Sequence, residues 1–326
     1  MKILVTGAAG FIGFHVTQTL LRRGDDVVGI DNLNDYYDPR LKHDRLKILE
    51  KENGFSFYKT DIADRESMET IFKDTHPDCV IHLAAQAGVR YSLENPHAYI
   101  QSNIVGHLNI LEGCRHTISV KRLVYASSSS VYGGNTKQPF SVEDRVDHPV
   151  SLYAATKKSD ELMSECYARL YGIQCVGLRF FTVYGPWGRP DMAYFSFTQK
   201  ILNDEAIPVF NHGKMKRDFT YIDDVVQGIL ASMSVEIEED VPHKIYNLGN
   251  NKAEELSDFI AVIEQSLDKA AKKDYLPMQA GDVVETYADI ETSAADLNYH
   301  PSVPIKTGIP QFIKWYKEYY KASKGN

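Results

Sequence analysis

The chain has 326 residues, of which 43% are hydrophobic and 25% charged, with a formal net charge of −8. That length can bury a substantial core and that balance is ordinary for a folded enzyme, so a disordered chain is excluded. The acidic balance argues against nucleic-acid partners, which require a basic surface to displace counterions, and no apolar run reaches the length of a membrane span.

The chain alternates short apolar runs with stretches of helical period. Residues 2–6 read as a strand and 11–23 as a helix, followed by strands at 26–30, 55–59, 79–83, 122–126 and 174–179. Helices are expected between them, at 65–74, 98–115 and 153–171. Uniformly apolar strands separated by helices predict a parallel sheet covered on both faces, a Rossmann-type doubly wound α/β fold. The apolar start is broken by three glycines and followed by Arg22 and Arg23, so it reads as strand and turn, not as a secretion signal. After Gly185 the pattern loosens into shorter elements, including helices at 256–267 and 309–320, and residues 321–326 read as a frayed polar tail. The expected division is a cofactor-binding Rossmann domain, 1–185, and a smaller C-terminal α/β substrate lobe, 186–326, with some segments returning to the first domain. Cys79, Cys114, Cys166 and Cys175 form no CxxC pair. They read as buried, reduced thiols of a cytoplasmic protein, with no metal site and no disulfide framework.

Gly7-Ala8-Ala9-Gly10-Phe11-Ile12-Gly13 lies between the first strand and the first helix. Glycine allows close approach of backbone to a pyrophosphate, and the helix start offers free N–H groups and a positive dipole end. Asp31 stands 18 residues beyond Gly13, with Asn32 after it. A carboxylate there accepts from both ribose hydroxyls and repels a 2′-phosphate, favouring NAD over NADP. Asp61, followed by Ile62, ends the third strand in the same way and suits an adenine amino group. The plainer alternative is a glycine turn and two helix-capping aspartates, but all three features fall at strand carboxyl ends, where open α/β sheets bind ligands.

Ser127-Ser128-Ser129-Ser130 ends the strand at 122–126, and Tyr153-Ala154-Ala155-Thr156-Lys157 follows downstream. Tyrosine and lysine four residues apart share a helix face. A nearby ammonium favours phenolate, which can take a proton from an alcohol while a hydride leaves for a nicotinamide. Among 20 tyrosines, YxxxK alone is weak. Its combination with the glycine turn, the ribose acid and the serine-bearing strand end is specific.

With these motifs the chain resembles the extended short-chain dehydrogenases/reductases over nearly its whole length. Leu83-Ala84-Ala85, Asn103 and Arg217-Asp218-Phe219-Thr220-Tyr221 belong to the same pattern. The resemblance implies that Ser128, Tyr153 and Lys157 are catalytic. It also implies that Tyr153, Lys157 and Leu83–Ala85 line the cofactor site, and that Arg217 contacts a nucleotide diphosphate. It further implies a homodimer through helices near 98–115 and 153–171.

Within that family, dehydratases carry Asp-Glu after the catalytic serine and decarboxylases carry Ser-Glu, whereas this chain has Ser129-Ser130. Without that proton donor, plain epimerisation is favoured. The run from Leu178 to Met192, with Thr182 and Arg189, resembles UDP-glucuronate 4-epimerases. UDP-glucose 4-epimerases have asparagine where Thr182 stands. Arg189 is a candidate fork for a sugar carboxylate. Ser129 and Ser130 are candidate helpers, and Arg90 and Ser92 candidate substrate contacts. Asp282 is a further expected contact, but many relatives have arginine where this chain has Gln279, so the diphosphate contact at that end is open. The expected activity is NAD-dependent 4-epimerisation of UDP-glucuronate to UDP-galacturonate, serving polysaccharide synthesis. Competing readings are a UDP-glucose or UDP-N-acetylglucosamine 4-epimerase, a UDP-glucuronate decarboxylase, and a non-catalytic NAD-binding sensor or scaffold.

Overall fold

The computed structural model describes residues 1–278 and 283–322. Asp282 and Gln279 therefore lie outside the described residues, as does most of the expected tail. The first half alternates strictly. Its elements are β1 (Lys2–Thr6), α1 (Phe11–Arg23), β2 (Asp26–Asp31), α2 (Pro39–Leu49), β3 (Phe55–Lys59), α3 (Arg65–Thr75) and β4 (Cys79–His82). They continue with the short α4 (Tyr91–Glu94) and α5 (Pro96–Tyr99), then α6 (Gly106–His116), β5 (Arg122–Ser128), α7 (Leu152–Tyr171) and β6 (Cys175–Phe180). There follow β7 (Thr182–Tyr184), α8 (Ala193–Leu202), β8 (Ala206–Val209), β9 (Lys216–Tyr221), α9 (Ile222–Ser232), β10 (His243–Leu248), β11 (Ala253–Glu255), α10 (Leu256–Leu267), β12 (Lys272–Tyr275), β13 (Glu285–Thr286), α11 (Glu291–Leu297) and α12 (Ile305–Ala322).

Seven parallel strands form the central sheet in the order β10-β6-β5-β4-β1-β2-β3. Ile3, Leu4 and Val5 of β1 have no exposed surface, because helices cover both sides of the sheet. The order reverses between β1 and β4, and that switch point opens a crevice at the strand carboxyl ends. The seventh strand, β10, comes from the C-terminal half and pairs with β6 from His243 to Leu248. The second sheet is small: β9 lies between β11 and β13 and also pairs with β7, while β8 and β12 form a separate pair.

Local signals explain the helix ends. Gly24 closes α1 in the left-handed conformation, with Arg22 and Arg23 at its negative end. Ser151 caps α7 by accepting from the Ala154 N–H at 3.1 Å, and Gly172 ends it.

Three expectations are corrected. The helix expected at 98–115 is present but runs from Pro96 to His116, as α5, a π-helical segment (Ile100–Val105) and α6. The wide turn directs Asn103 inward, where it accepts from the Gln86 N–H and donates to the Gln86 carbonyl and Thr156 Oγ1. Such local widening marks functional regions of helices. The last helix begins at Ile305 rather than 309 and carries Pro310 within it. Cys79, Cys114 and Cys175 are buried as expected, but Cys166 is exposed, on the outward side of α7. Among the described residues no helix is long and apolar enough to cross a membrane, and no His, Cys, Asp or Glu cluster suits a metal.

Candidate active site

The crevice is one continuous cavity of ≈ 850 Å³ running from the β1–α1 turn, past the end of β5 and the start of α7, to Phe210, Met215 and Arg217. Every sequence-predicted site residue within the described residues lines it except Ser92. The Ser92 hydroxyl is buried and donates to the Val89 carbonyl at 2.6 Å.

At one end, the turn is closed by its own backbone. Gly7 N–H and Ala8 N–H donate to the Ile30 carbonyl, and Gly10 N–H to the Gly7 carbonyl. Gly7 has φ +71°, and a Cβ on Gly13 would stand 2.0 Å from the Gly7 oxygen. Only glycine permits this packing. Gly10 begins α1 without a side-chain cap, so the first-turn N–H groups have no side-chain acceptor. Asp31 accepts from Ala9 N–H at 3.2 Å and Leu33 N–H at 2.8 Å. These bonds aim its carboxylate and leave lone pairs for further donors. Asp61 accepts from the Asn32 amide at 2.9 Å and from Ala63 N–H. An uncapped helix start, a cradle that a Cβ would fill and an anchored carboxylate fit a dinucleotide with a free ribose diol.

In the middle, the four serines are not equivalent. Ser127 donates to Glu161 at 2.6 Å beneath the cavity floor, whereas Ser128 Oγ accepts from the Ser130 N–H and lies 3.1 Å from Ser130 Oγ. Glu161 is held in turn by the Arg179 fork at 2.8 and 2.9 Å. Burial opposes the Glu161 charge, but Arg179 more than offsets it and keeps the carboxyl below its ordinary range. Arg179 also stacks on Tyr132, whose hydroxyl donates to Asn247 of β10 at 2.7 Å. Through this chain β10, the returning strand, braces the serine turn.

Tyr153 lies in the first turn of α7, and Lys157 one turn further. Lys157 Nζ donates to the Ala126 carbonyl and to Asp160 Oδ2, both at 2.9 Å. Burial works against the ammonium, but the charges of Asp160 and Tyr153 outweigh it and raise its pKa above the ordinary lysine value. The carboxylates among the described lining residues are Asp31, Asp61, Glu94 and Asp191, none on the serine turn.

Beside the glycine turn, Arg189 is a fork already engaged. Its Nε and Nη2 donate to Asp191, which also accepts from the Tyr36 hydroxyl at 3.2 Å. Arg45, with no exposed surface, donates to the Ala9 carbonyl at 2.8 Å and to the Trp187 carbonyl at 2.6 Å. It thus straps the glycine turn to the loop that carries Arg189. Arg90 lies over the Phe210 ring, and Arg217 donates to the Val284 carbonyl at 3.1 Å. Sequence reading missed Arg45, Tyr36, Asp160 and the Glu161–Arg179 pair. Arg45, Tyr36 and Arg179 meet partners from other elements and so have no spacing signal, while Asp160, three residues after Lys157 on α7, looks like an ordinary helix charge.

Comparison with known proteins agrees with this geometry. Residues 3–249 match the NAD dependent epimerase/dehydratase family. Protein CapI of Staphylococcus aureus is 52% identical over 98% of this chain and 100% of its own length. UDP-glucuronate 4-epimerase 4 of Arabidopsis thaliana is 48% identical over 99% of this chain and 77% of its own. The crystal structure of UDP-glucuronic acid 4-epimerase from Bacillus cereus, in complex with UDP-glucuronic acid and NAD, superimposes with a TM-score of 0.90. It is 36% identical and covers 98% of this chain and 100% of that one. With its glycine turn, anchored Asp31 carboxylate and Tyr-Lys helix on one cavity, the chain belongs to the NAD dependent epimerase/dehydratase family and is an NAD-dependent epimerase, an isomerase whose relatives act on UDP-sugars.

Proposed function

We propose that the chain is a UDP-glucuronate 4-epimerase, interconverting UDP-glucuronate and UDP-galacturonate. The observation that carries this reading is the single cavity in which the Tyr153–Lys157 helix start, an acid-free serine turn and the Thr182–Arg189 side meet. The turn Gly7–Gly13, Asp31, Asn32, Asp61, Ile62, Leu83–Ala85 and Lys157 would hold NAD. Bound there, NAD would supply the hydride chemistry at the sugar's C4, with removal from one face and return to the other. Tyr153 takes the proton of the C4 hydroxyl and gives it back, with Ser128 holding the same oxygen. Rotation of the 4-keto sugar between these events exchanges its faces, and no net redox change results.

The 4-keto form of a glucuronate is a β-keto acid, prone to lose carbon dioxide. Thr182, Ser129, Ser130 and the Nη1 side of Arg189, which Asp191 leaves unused, hold the carboxylate charged and out of line with the ketone. Arg217 and Arg90 bind the diphosphate side, and the C-terminal lobe takes the uridine. No lining carboxylate stands on the serine turn to protonate a leaving group or a carbanion, which favours epimerisation over elimination or decarboxylation.

The chain acts as a homodimer in this reading. Leu162, Cys166 and Leu170 form an exposed stripe at four-residue spacing on α7, beside exposed Ile100 and Leu108.

The deciding experiment incubates the purified protein with UDP-glucuronate, without added cofactor, and follows nucleotide sugars by NMR. UDP-galacturonate without UDP-pentose or net NADH is expected. No reaction there, with conversion of UDP-glucose or UDP-N-acetylglucosamine in a parallel tube, would overturn the carboxylate assignment but keep the epimerase.

A further inference from the structure

Asp160 is the charged group nearest the chemistry for which the mechanism above has no use. It stands one turn beyond Lys157 on α7 and has no exposed surface. Its Oδ2 accepts from Lys157 Nζ at 2.9 Å, and its Oδ1 has no hydrogen-bond partner. A buried carboxylate with a bare oxygen is costly, and a neutral side chain of the same shape would avoid that cost. Packing therefore does not explain the charge.

The surrounding groups are few. On α7, Lys157 and Glu161 face Asp160, and Glu161 is occupied by Arg179 and Ser127. From α6 comes His107, whose ring lies against His82 of β4. From β5 comes Tyr125. Burial keeps both histidines neutral, lowering His107 to about 3 and His82 well below its ordinary value. Asp160 is thus the carboxylate in direct contact with the Lys157 ammonium; burial outweighs that contact and raises the carboxyl to about 6, so it carries its charge at neutral pH and loses it as the pH falls through that value.

We propose that Asp160 is a positioning residue for the proton-transfer centre: it fixes the Lys157 ammonium against the Ala126 carbonyl and offsets part of its charge. The proposal rests on the epimerase reading. A tyrosine that must both take and return a proton in each turnover is served by a moderated positive field. The unopposed ammonium would favour the ionised form throughout. Asp160 and Tyr153 are two turns apart on one helix, about 10 Å. At an effective dielectric of about 20, a unit charge at that distance moves an ionisation by roughly one pH unit.

The test is the pH profile of kcat/KM for UDP-glucuronate in NAD-loaded protein, comparing the parent with D160N. D160N keeps an acceptor for Lys157 and removes the charge. Its acid limb should move to lower pH by roughly half to one unit. An acid limb that stays in place in folded, NAD-loaded D160N overturns the proposal. If D160N does not fold, 13C NMR of the labelled Asp160 carboxyl in the parent and in K157M decides. Loss of the ammonium should raise its titration midpoint, and equal midpoints overturn the pairing. A parent that turns over no UDP-sugar sinks the epimerase reading instead, and the carboxyl titration still judges Asp160.

Discussion

Two walls of the cavity are built by different means. At the glycine-turn end one short run of chain does nearly everything: backbone N–H groups, a left-handed Gly7 and a Gly13 with no room for a Cβ. At the Arg189 loop, side chains from distant elements hold one another. Tyr36 from the β2–α2 loop meets Asp191, Asp191 meets Arg189, and Arg45 from α2 carries the Trp187 carbonyl. A wall of backbone fails all at once when it is altered, whereas a wall of cross-braced side chains yields in steps. The reacting centre combines both, since Tyr153 is fixed by a helix start and Lys157 by the Ala126 carbonyl and the Asp160 carboxylate.

The largest expected effect is at that centre. Tyr153→Phe removes the proton carrier without touching either wall. Turnover should fall by roughly 10²–10⁴-fold, the usual share of general acid–base catalysis. NAD content, read from the absorbance of denatured protein, should stay unchanged. Turnover close to the parent's would assign the proton transfer to another group.

The next effect tests the backbone wall. Gly13→Ala places a methyl 2.0 Å from the Gly7 oxygen, and the obstacle is backbone that cannot swing away. The turn must open, at a cost of roughly 1–3 kcal/mol for strain of this kind. The protein should purify without NAD and melt at a lower temperature. Normal NAD retention would mean that the turn has slack which its hydrogen bonds do not suggest.

The same contrast explains what the sequence made legible. The β1–α1 turn, Asp31 and Tyr153–Lys157 depend on spacing along one or two elements, and spacing is visible in a sequence. So were β1, α1 and β3, whose observed ends coincide with the sequence reading. The π-helical turn within the helix read at 98–115 is not legible in the sequence, because the apolar period runs on through it; only the fold shows Asn103 bonding there to Gln86 and Thr156. The Arg45 strap and the Lys157–Asp160 pair were not legible either. A buried arginine and a buried aspartate look like ordinary helix-surface charges until the fold shows that no surface is there. Arg189 was singled out from resemblance, but the aspartate two residues on that fills its fork emerges only from the loop geometry.

That fork gives the most graded test of the comparison. Arg189→Ala should lower kcat/KM for UDP-glucuronate by about 10–100-fold, in keeping with about 1.5–3 kcal/mol for a hydrogen bond to a charged group. UDP-glucose, lacking the carboxylate, should change much less. The loss has two sources, because removing the guanidinium also leaves Asp191 bare beside an anionic sugar. At present Arg189 more than offsets the burial of Asp191 and holds its carboxyl below the ordinary range. The double variant R189A/D191A separates the two sources. If the carboxylate is bound by Arg189 itself, the double variant regains only the share lost to the uncovered Asp191 and stays well below the parent. Recovery to parental kcat/KM would instead mean that Arg189 serves only to neutralise Asp191. The sugar end would then discriminate through Thr182 and the serines, with the arginine acting as one more brace in the side-chain wall.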